Sequence, residues 1–220
     1  MNISKIWSAV AALILAAALH ADYMGFKTPE MGEWAVVVYH NPDGSDMEQK
    51  MIYLGETQMQ GKTAEGIEIQ MKLPQDNGIN ATQVWIGKKD RDTLKYVMSM
   101  NGQLMCVTDQ SMGMVPEMQE SPPSAETPEA YDPAKHPAFK SETYTTPTGK
   151  KVHAAVYKEG TREVWVSSEI PFGIVKVVDN GDTIAYLKDF GKNAKPVISV
   201  EQAKACQPMD FGNLLKGFGF

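Results

Sequence analysis

Apolar and polar side chains alternate with a period of two along most of the chain after residue 33. In segment 65–73, for example, Ile67, Ile69 and Met71 form one row, and charged or amide side chains occupy the positions between them. Successive side chains of a strand point to opposite faces of a sheet, whereas a helix repeats every 3.6 residues, so the alternation predicts half-buried antiparallel strands. The pattern marks strands at 33–40, 49–56, 65–73, 82–88, 94–100, 103–108, 151–158, 162–168, 172–179 and 183–190.

Two Asn-Gly pairs indicate how these strands are connected. Asn101-Gly102 and Asn180-Gly181 each lie between two alternating runs. Both residue types tolerate a positive φ, so the pairs predict tight hairpins, and the whole pattern predicts a β-meander. Helical periodicity is limited to residues 199–206, which gives an all-β fold with a minor α contribution.

A stretch rich in proline and acidic residues divides the chain. Proline cannot donate to a strand ladder, and few apolar side chains are available there for burial, so an extended loop or linker is expected. This segment, at 110–137, either separates two domains or is a loop within one sheet. Because few strands follow it, we favour a single sheet domain at 22–200 with a C-terminal tail at 201–220. The prolines are Pro116, Pro122, Pro123, Pro128, Pro133 and Pro137.

The N-terminus has the three-part pattern of a secretory signal peptide. Lys5 supplies the positive start, an apolar run follows, and small residues precede a cleavage site after Ala21 or Ala18. The apolar run is shorter than the roughly 20 residues that a bilayer-spanning helix needs, so residues 1–21 are interpreted as a signal and not as an anchor. We therefore expect a mature protein in the periplasm or secreted from the cell.

The composition excludes several classes of protein. The chain has 220 residues with 21 basic and 27 acidic side chains, and its net charge of −6 argues against a nucleic-acid partner. A hydrophobic fraction of 43% excludes wholesale disorder. The predicted strands run to about seven residues, fewer than the roughly 9–11 of a membrane-spanning strand, so an integral membrane protein is not expected either.

Two cysteines, Cys106 and Cys206, belong to the mature chain. In an oxidising compartment an even pair with no third thiol is most simply a disulfide, and two buried free thiols are the alternative. Closing a loop of about 100 residues would stabilise the fold by up to roughly 5 kcal/mol in the chain-entropy model.

No familiar catalytic signature is present, since the chain lacks HExxH, GxSxG, CxxC and a phosphate-binding glycine loop. We therefore expect a protein that is not an enzyme and that needs no cofactor. Methionine is the unusual excess, with 14 residues. Thioethers bind Cu(I), so Met98, Met100, Met112 and Met114 form a candidate copper site. Methionine also fills irregular cores and adaptable apolar surfaces, and both interpretations remain open here.

The most distinctive sequence lies in the second half of the chain. Residues 145–150 read TTPTGK, Tyr157 follows, and residues 163–176 read EVWVSSEIPFGIVK, while Gly32-Glu33-Trp34 opens an early strand. Together these elements resemble exported bacterial envelope proteins of the LolA/LolB/LppX-like type and their relatives. The resemblance implies a strongly curved antiparallel sheet, a half-barrel meander whose concave face holds acyl chains or another apolar ligand.

These observations lead to one principal hypothesis and two alternatives. We expect an exported, non-enzymatic β-protein of the bacterial envelope that binds a lipid or lipid-linked ligand in the concavity of its sheet. The alternatives are a periplasmic Cu(I)-binding protein and a structural or partner-binding envelope protein that uses the acidic loop for contact. The apolar lining is predicted to comprise Trp34, Met98, Met100, Trp165 and Phe172.

Overall fold

Within the residues that the structure describes, the chain forms eleven β-strands and one short helix. The computed structural model describes residues 29–41, 44–72, 79–100, 102–108 and 140–207. The predicted signal peptide and the proline-rich segment lie outside these residues. In chain order the elements are β1 (Trp34–His40), β2 (Asp46–Met59), β3 (Lys62–Lys72), β4 (Ile79–Gly87), β5 (Thr93–Met100), β6 (Gln103–Thr108), β7 (Lys140–Thr145), β8 (Lys151–Glu159), β9 (Arg162–Val166), β10 (Ile174–Asp179), β11 (Asp182–Gly191) and α1 (Val200–Ala205).

All of these strands belong to one antiparallel sheet with the order β6-β5-β4-β3-β2-β1-β11-β10-β9-β8-β7. Strands β1 to β6 form one meander and β7 to β11 form a second. The two meet where β1 pairs with β11, from Trp34 opposite Gly191 to Tyr39 opposite Ala185. Strands on both sides of the proline-rich segment thus share one sheet, and the predicted antiparallel all-β fold is confirmed.

Two of the turns fall where the sequence places them. Asn180-Gly181 joins β10 to β11 with φ angles of 52° and 90°. Gly102, with φ 78°, lies in the turn between Met100 and Gln103, which pair directly across β5 and β6. Asn and Gly adopt these left-handed conformations with little strain, which is why the sequence locates both turns.

Strand β7 is not predicted by the sequence. Its residues alternate between half-buried and exposed positions, and none of them is fully buried. Hydrophobic periodicity arises from apolar side chains that are directed into a core, so an edge strand with mostly polar side chains gives no such signal.

The sheet is curved but not closed into a barrel. A side chain connects edge strand β7 to β11: the Tyr144 hydroxyl donates to the Leu187 carbonyl oxygen at 2.8 Å. In the adjoining turn, Thr148 donates to Asp189 Oδ1 at 3.0 Å. Burial raises the pKa of Tyr144 to about 12, so this hydroxyl remains a donor at neutral pH.

One buried cluster joins the two meanders through β1, β2, β8, β10 and β11. Strand β1 is buried on both faces, as its doubly apolar sequence indicates, with Val36 the most accessible of its four central residues at 7%. Tyr39, Ile67 and Ile69 pack against the margin of this cluster. Its buried members are Ala35, Val37, Met51, Tyr53, Val152, Ala154, Ile170, Phe172, Val175, Ala185 and Leu187.

Helix α1 confirms the short helix that the sequence predicts near residues 199–206. Ser199 is its N-cap: the Ser199 hydroxyl accepts from the Gln202 backbone N–H at 3.1 Å, and the Ser199 backbone N–H donates to Gln202 Oε1 at 2.8 Å. This reciprocal capping box satisfies donors that the first turn would otherwise leave unpaired. It fixes where the chain turns back onto the sheet after β11.

Candidate functional site

The register of β3 to β6 divides their side chains between two faces of the sheet. Ile69 pairs with Thr82, Thr82 with Met98, and Met98 with Met105, which gives one continuous row across four strands. We call this side the apolar face and the other side the strap face. The apolar face carries Ile67, Ile69, Met71, Thr82, Val84, Tyr96, Met98 and Met105 together with the polar Asn80 and Gln103, and the strap face carries Glu68, Gln70, Gln83, Trp85, Lys95, Val97, Ser99 and Cys106.

The strap face is covered by the C-terminal residues 194–206, which we call the strap. Ile198 and Ala203 of the strap are at most 1% exposed and pack in one cluster with Ile52, Trp85 and Val97. Gly66 allows this packing from within the sheet, because a Cβ at that position would stand 2.5 Å from the Trp85 ring. Only a residue without a side chain fits there.

A buried carboxylate holds the strap at residues 197 and 198. Glu68 is 0% exposed, and its Oε1 accepts from the Val197 backbone N–H at 2.7 Å and from Gln70 Nε2 at 2.7 Å. Its Oε2 accepts from the Ile198 backbone N–H at 3.0 Å and from Gln83 Nε2 at 2.9 Å. Four donors therefore compensate for the loss of water around this carboxylate.

The same polar group extends further along the sheet. Gln83 Nε2 also donates to the Ile198 carbonyl oxygen at 2.5 Å, so Gln83 and Glu68 together bind both polar groups of one strap residue. Trp85 Nε1 donates to Gln83 Oε1 at 3.2 Å, which fixes the orientation of the amide. The network thus recognises the strap backbone and also orders the core beneath it.

An ammonium group and a disulfide bond hold the strap at residues 203–206. Lys95 is 5% exposed, and its Nζ donates to the carbonyl oxygens of Ala203 and Cys206, both at 2.6 Å. Burial lowers the pKa of Lys95. Cys206 is joined to Cys106 of β6 in a disulfide with a Cα separation of 6.0 Å, a distance typical of such bonds. Disulfides persist in oxidising compartments, so the pair indicates an extracytoplasmic protein.

The apolar face is more accessible than the polar row behind it. Ile67 and Ile69 on β3 and Tyr96 and Met98 on β5 are half-buried, whereas Glu68 between the two isoleucines is fully buried. An antiparallel sheet ordinarily packs its apolar row on a core and leaves its polar row in water. Here the strap seals the polar row, and an apolar row remains partly open to solvent.

Methionine is concentrated on this accessible face. Met98 and Met105 are directly opposite each other on β5 and β6, and both are half-buried. Directly opposite residues on an antiparallel pair have Cβ atoms about 4.5–5.5 Å apart, within contact of two long side chains. Met71 lies two strands away and is also half-buried. The result is a soft, adaptable apolar surface next to the edge of the sheet.

The five predicted lining residues lie in different parts of the sheet. Met98 lies on the apolar face, and Met100 follows it on β5 opposite Gln103, although its side chain is outside the described part of the structure. Trp34 pairs with Ile52, which packs under the strap, and Trp34 Nε1 donates to the Lys192 carbonyl oxygen at 3.3 Å. The other two belong to the second meander.

Phe172 is 4% exposed and is part of the cluster that joins the two meanders, with φ 65°. Trp165 packs against the same cluster, and Lys140 Nζ and Lys176 Nζ lie 5.5 Å and 5.4 Å from its ring centre. These positions are those of aromatic side chains that stabilise the second meander. The predicted copper ligands Met112 and Met114 lie outside the described residues.

Two further observations concern metal sites and membrane-spanning helices. In the described ranges, no group of three or more His, Cys, Asp or Glu side chains is arranged to hold a metal ion. The helical segment that the structure describes is not long and apolar enough to cross a bilayer. The first observation does not bear on thioether ligands.

The sequence gives no indication of the Glu68 and Lys95 contacts. In the alternating pattern both residues occupy the polar rows of ordinary half-buried strands. The one available signal is the predicted helix at 199–206, since a short helix after the last strand must pack against some face of the sheet. The sequence does not specify which face it covers.

Comparisons with known proteins add little to this description. No family model matches the chain, and no curated protein matches it. Among solved structures, a chain described as the crystal structure of MucB matches with a TM-score of 0.38 and 14% identity, over 90% of this chain and 63% of that chain. The chain thus spans less than two thirds of that structure, and a TM-score this low carries no argument about function. The resemblance to LolA-like envelope proteins stays a prediction.

The fold and the site together define a class of protein. It is an open, curved antiparallel sheet whose polar face is sealed by a disulfide-bonded C-terminal strap and whose apolar face is partly accessible.

Proposed function

We propose that this is an exported, non-enzymatic β-protein of the bacterial envelope that binds a lipid or lipid-linked ligand on the apolar face of β3 to β6. The observation that carries the proposal is the accessible row Ile69, Met98 and Met105, set against the fully buried Glu68 on the other side. A soluble protein gains stability by burying an apolar row, so an accessible row on a sheet points to a ligand or a partner. The predicted signal peptide and the disulfide support an exported location.

The position of the apolar face also supports an apolar ligand. Ile67 and Ile69 pack against the margin of the cluster that joins the meanders, so the accessible surface is continuous with the core. Most apolar ligand sites are concave surfaces lined by hydrophobic and aromatic side chains with few polar groups. Thr82 is the one hydroxyl of the central row, and Tyr96 supplies an aromatic ring beside it.

The proposal is tested with cis-parinaric acid, a fatty acid whose fluorescence rises in apolar surroundings. We expect the double variant Met98→Gln/Met105→Gln to bind it about tenfold more weakly, because two apolar contacts become amides that would be desolvated. The matched variant Met98→Leu/Met105→Leu keeps apolar volume and should bind within about twofold of the wild type. Met31→Gln, at an exposed position outside the face, controls for loss of methionine itself. Unchanged affinity of the glutamine variant, with the fold intact, would contradict the proposed site.

A Cu(I)-binding function is the second candidate, because the register places Met105 directly opposite Met98. Two thioethers at adjacent positions would supply two of the soft ligands that Cu(I) prefers. Met100 follows Met98 in the same strand. The leucine variant separates the two functions, since leucine preserves apolar area but cannot ligate a metal.

Copper uptake is measured by competition with a Cu(I) chelator under reducing conditions that leave the protein folded. If the protein binds copper here, the wild type takes up the metal in stoichiometric amounts and Met98→Leu/Met105→Leu loses it. No uptake by the wild type disposes of the copper function. A wild type that binds neither probe favours the structural or partner-binding role.

A further inference from the structure

We propose that Met98 and Met105 are an oxidation site at which a peroxide controls ligand binding by the apolar face. The inference rests on the proposed function, because the property it regulates is the binding of an apolar ligand. It accounts for a feature that an apolar site alone does not require, namely two methionines directly opposite each other where leucine or valine would supply the same burial.

Accessibility distinguishes these two methionines from the buried methionines of the same sheet. Met98 and Met105 are half-buried, whereas Met51 of β2 is 1% exposed and Met59 of the same strand is 3% exposed. A hydroperoxide must reach the sulfur for reaction, so the accessible pair reacts faster than the buried residues, which serve as internal references. The disulfide indicates that the protein works in an oxidising compartment.

The reaction needs only hydrogen peroxide or an organic hydroperoxide. A sulfur lone pair attacks the terminal peroxide oxygen, the O–O bond breaks, and a proton passes to the departing oxygen. The thioether becomes a sulfoxide, oxidised by two electrons, and hydrogen peroxide is reduced to water. A dithiol-dependent reductase reverses the change.

The sulfoxide changes the surface on which the ligand lies. Its S=O group is a strong dipole and hydrogen-bond acceptor, and the neighbouring donors on this face are the Thr82 hydroxyl in the same row and the Gln103 amide two residues from Met105. An apolar chain that covers the sulfoxide would remove it from water without replacing its hydrogen bonds. Two adjacent sulfoxides therefore oppose ligand binding, while the backbone ladder between β5 and β6 is unaffected.

Site selectivity is measured first, without any ligand. The folded, disulfide-bonded protein is treated with hydrogen peroxide, and oxidation of each methionine is followed over time by peptide mass spectrometry. We expect Met98 and Met105 to oxidise at least about fivefold faster than Met51 and Met59. Rates for the pair as slow as those of the buried references would overturn the proposal.

The effect on binding is measured next with cis-parinaric acid. Oxidised wild type should bind about tenfold more weakly than untreated wild type, and treatment with methionine sulfoxide reductase should restore the affinity. The variant Met71→Leu/Met98→Leu/Met105→Leu, which lacks all three half-buried methionines of this face, should keep after peroxide the affinity that it has before it, although the exposed Met31 can still react. Met71→Leu alone should lose affinity after peroxide as the wild type does. Equal loss in the triple variant would overturn the assignment.

The two proposals fail in different ways. Untreated wild type that does not bind the fatty acid overturns the proposed function, and the control by oxidation with it. Untreated wild type that binds, and binds equally well after Met98 and Met105 are oxidised, overturns only the oxidative control.

Discussion

We expect Glu68→Ala to lower the free energy of unfolding by about 2–4 kcal/mol, because each buried donor that loses its acceptor costs roughly 1–3 kcal/mol. The carboxylate is 0% exposed and accepts four hydrogen bonds, two of them from the Val197 and Ile198 backbone N–H groups. Without it, the N–H groups of Val197 and Ile198 and the side-chain amides of Gln70 and Gln83 lose this acceptor. Urea unfolding of the disulfide-bonded protein measures the change as a shift of the midpoint at constant slope.

Two control variants show whether the effect belongs to the buried carboxylate. Glu68→Gln keeps the shape and one acceptor oxygen, so its loss of stability should fall between those of the wild type and the alanine variant. Glu56→Ala removes a side chain that is 45% exposed and paired with Lys88, and should change stability by less than about 0.5 kcal/mol. If Glu68→Ala were as stable as Glu56→Ala, the strap would not depend on this carboxylate.

Cys106→Ala/Cys206→Ala is expected to lower the free energy of unfolding by about 3–5 kcal/mol. The cysteines are 100 residues apart in the sequence, and for a loop of this length the chain-entropy model gives about 4.7 kcal/mol. The bond also ties edge strand β6, which otherwise pairs only with β5 among the described strands, to the strap. Both cysteines are replaced together so that no free thiol remains to form intermolecular disulfides.

The reduced wild type provides the matching comparison. Its urea midpoint in the presence of a phosphine reductant should coincide with that of the double alanine variant, which the reductant should leave unchanged. A wild-type midpoint that does not respond to complete reduction, verified by mass, would show that the bond adds no stability.

The strands that the sequence locates best are those with one clear apolar row. Segment 94–100 matches β5 closely, and Asn180-Gly181 forms the turn that it predicts. These predictions are correct because alternation and turn chemistry are local properties of the chain. The sequence does not predict β7, because its side chains contribute little apolar burial. A strand that is held mainly by pairing with β8 has no local sequence pattern.

The candidate site was only partly accessible to sequence reasoning. Met98 was predicted from its place in an alternating run rich in methionine, and it lies on the apolar face. Met105, its direct neighbour, is missing from the predicted lining, although the hairpin predicted between Met100 and Gln103 fixes the register that pairs the two methionines. Trp34 and Phe172 were predicted for the same lining as large apolar side chains, but side-chain type does not say which face or cluster a residue joins.

By itself, the sequence determined the antiparallel all-β character, the hairpin turns, the short C-terminal helix and the two rows of each strand, because each depends on neighbours within a few residues. Only the tertiary structure decided which row is sealed. The strap meets Glu68 about 130 positions earlier in the chain, and two backbone N–H groups, which every residue but proline possesses, make that contact. Because the strap is bound through its backbone, no side-chain pattern in the sequence marks the contact. The polar row of β3 to β6, which the sequence alone would place in water, is therefore buried, and the apolar row on the other face stays accessible.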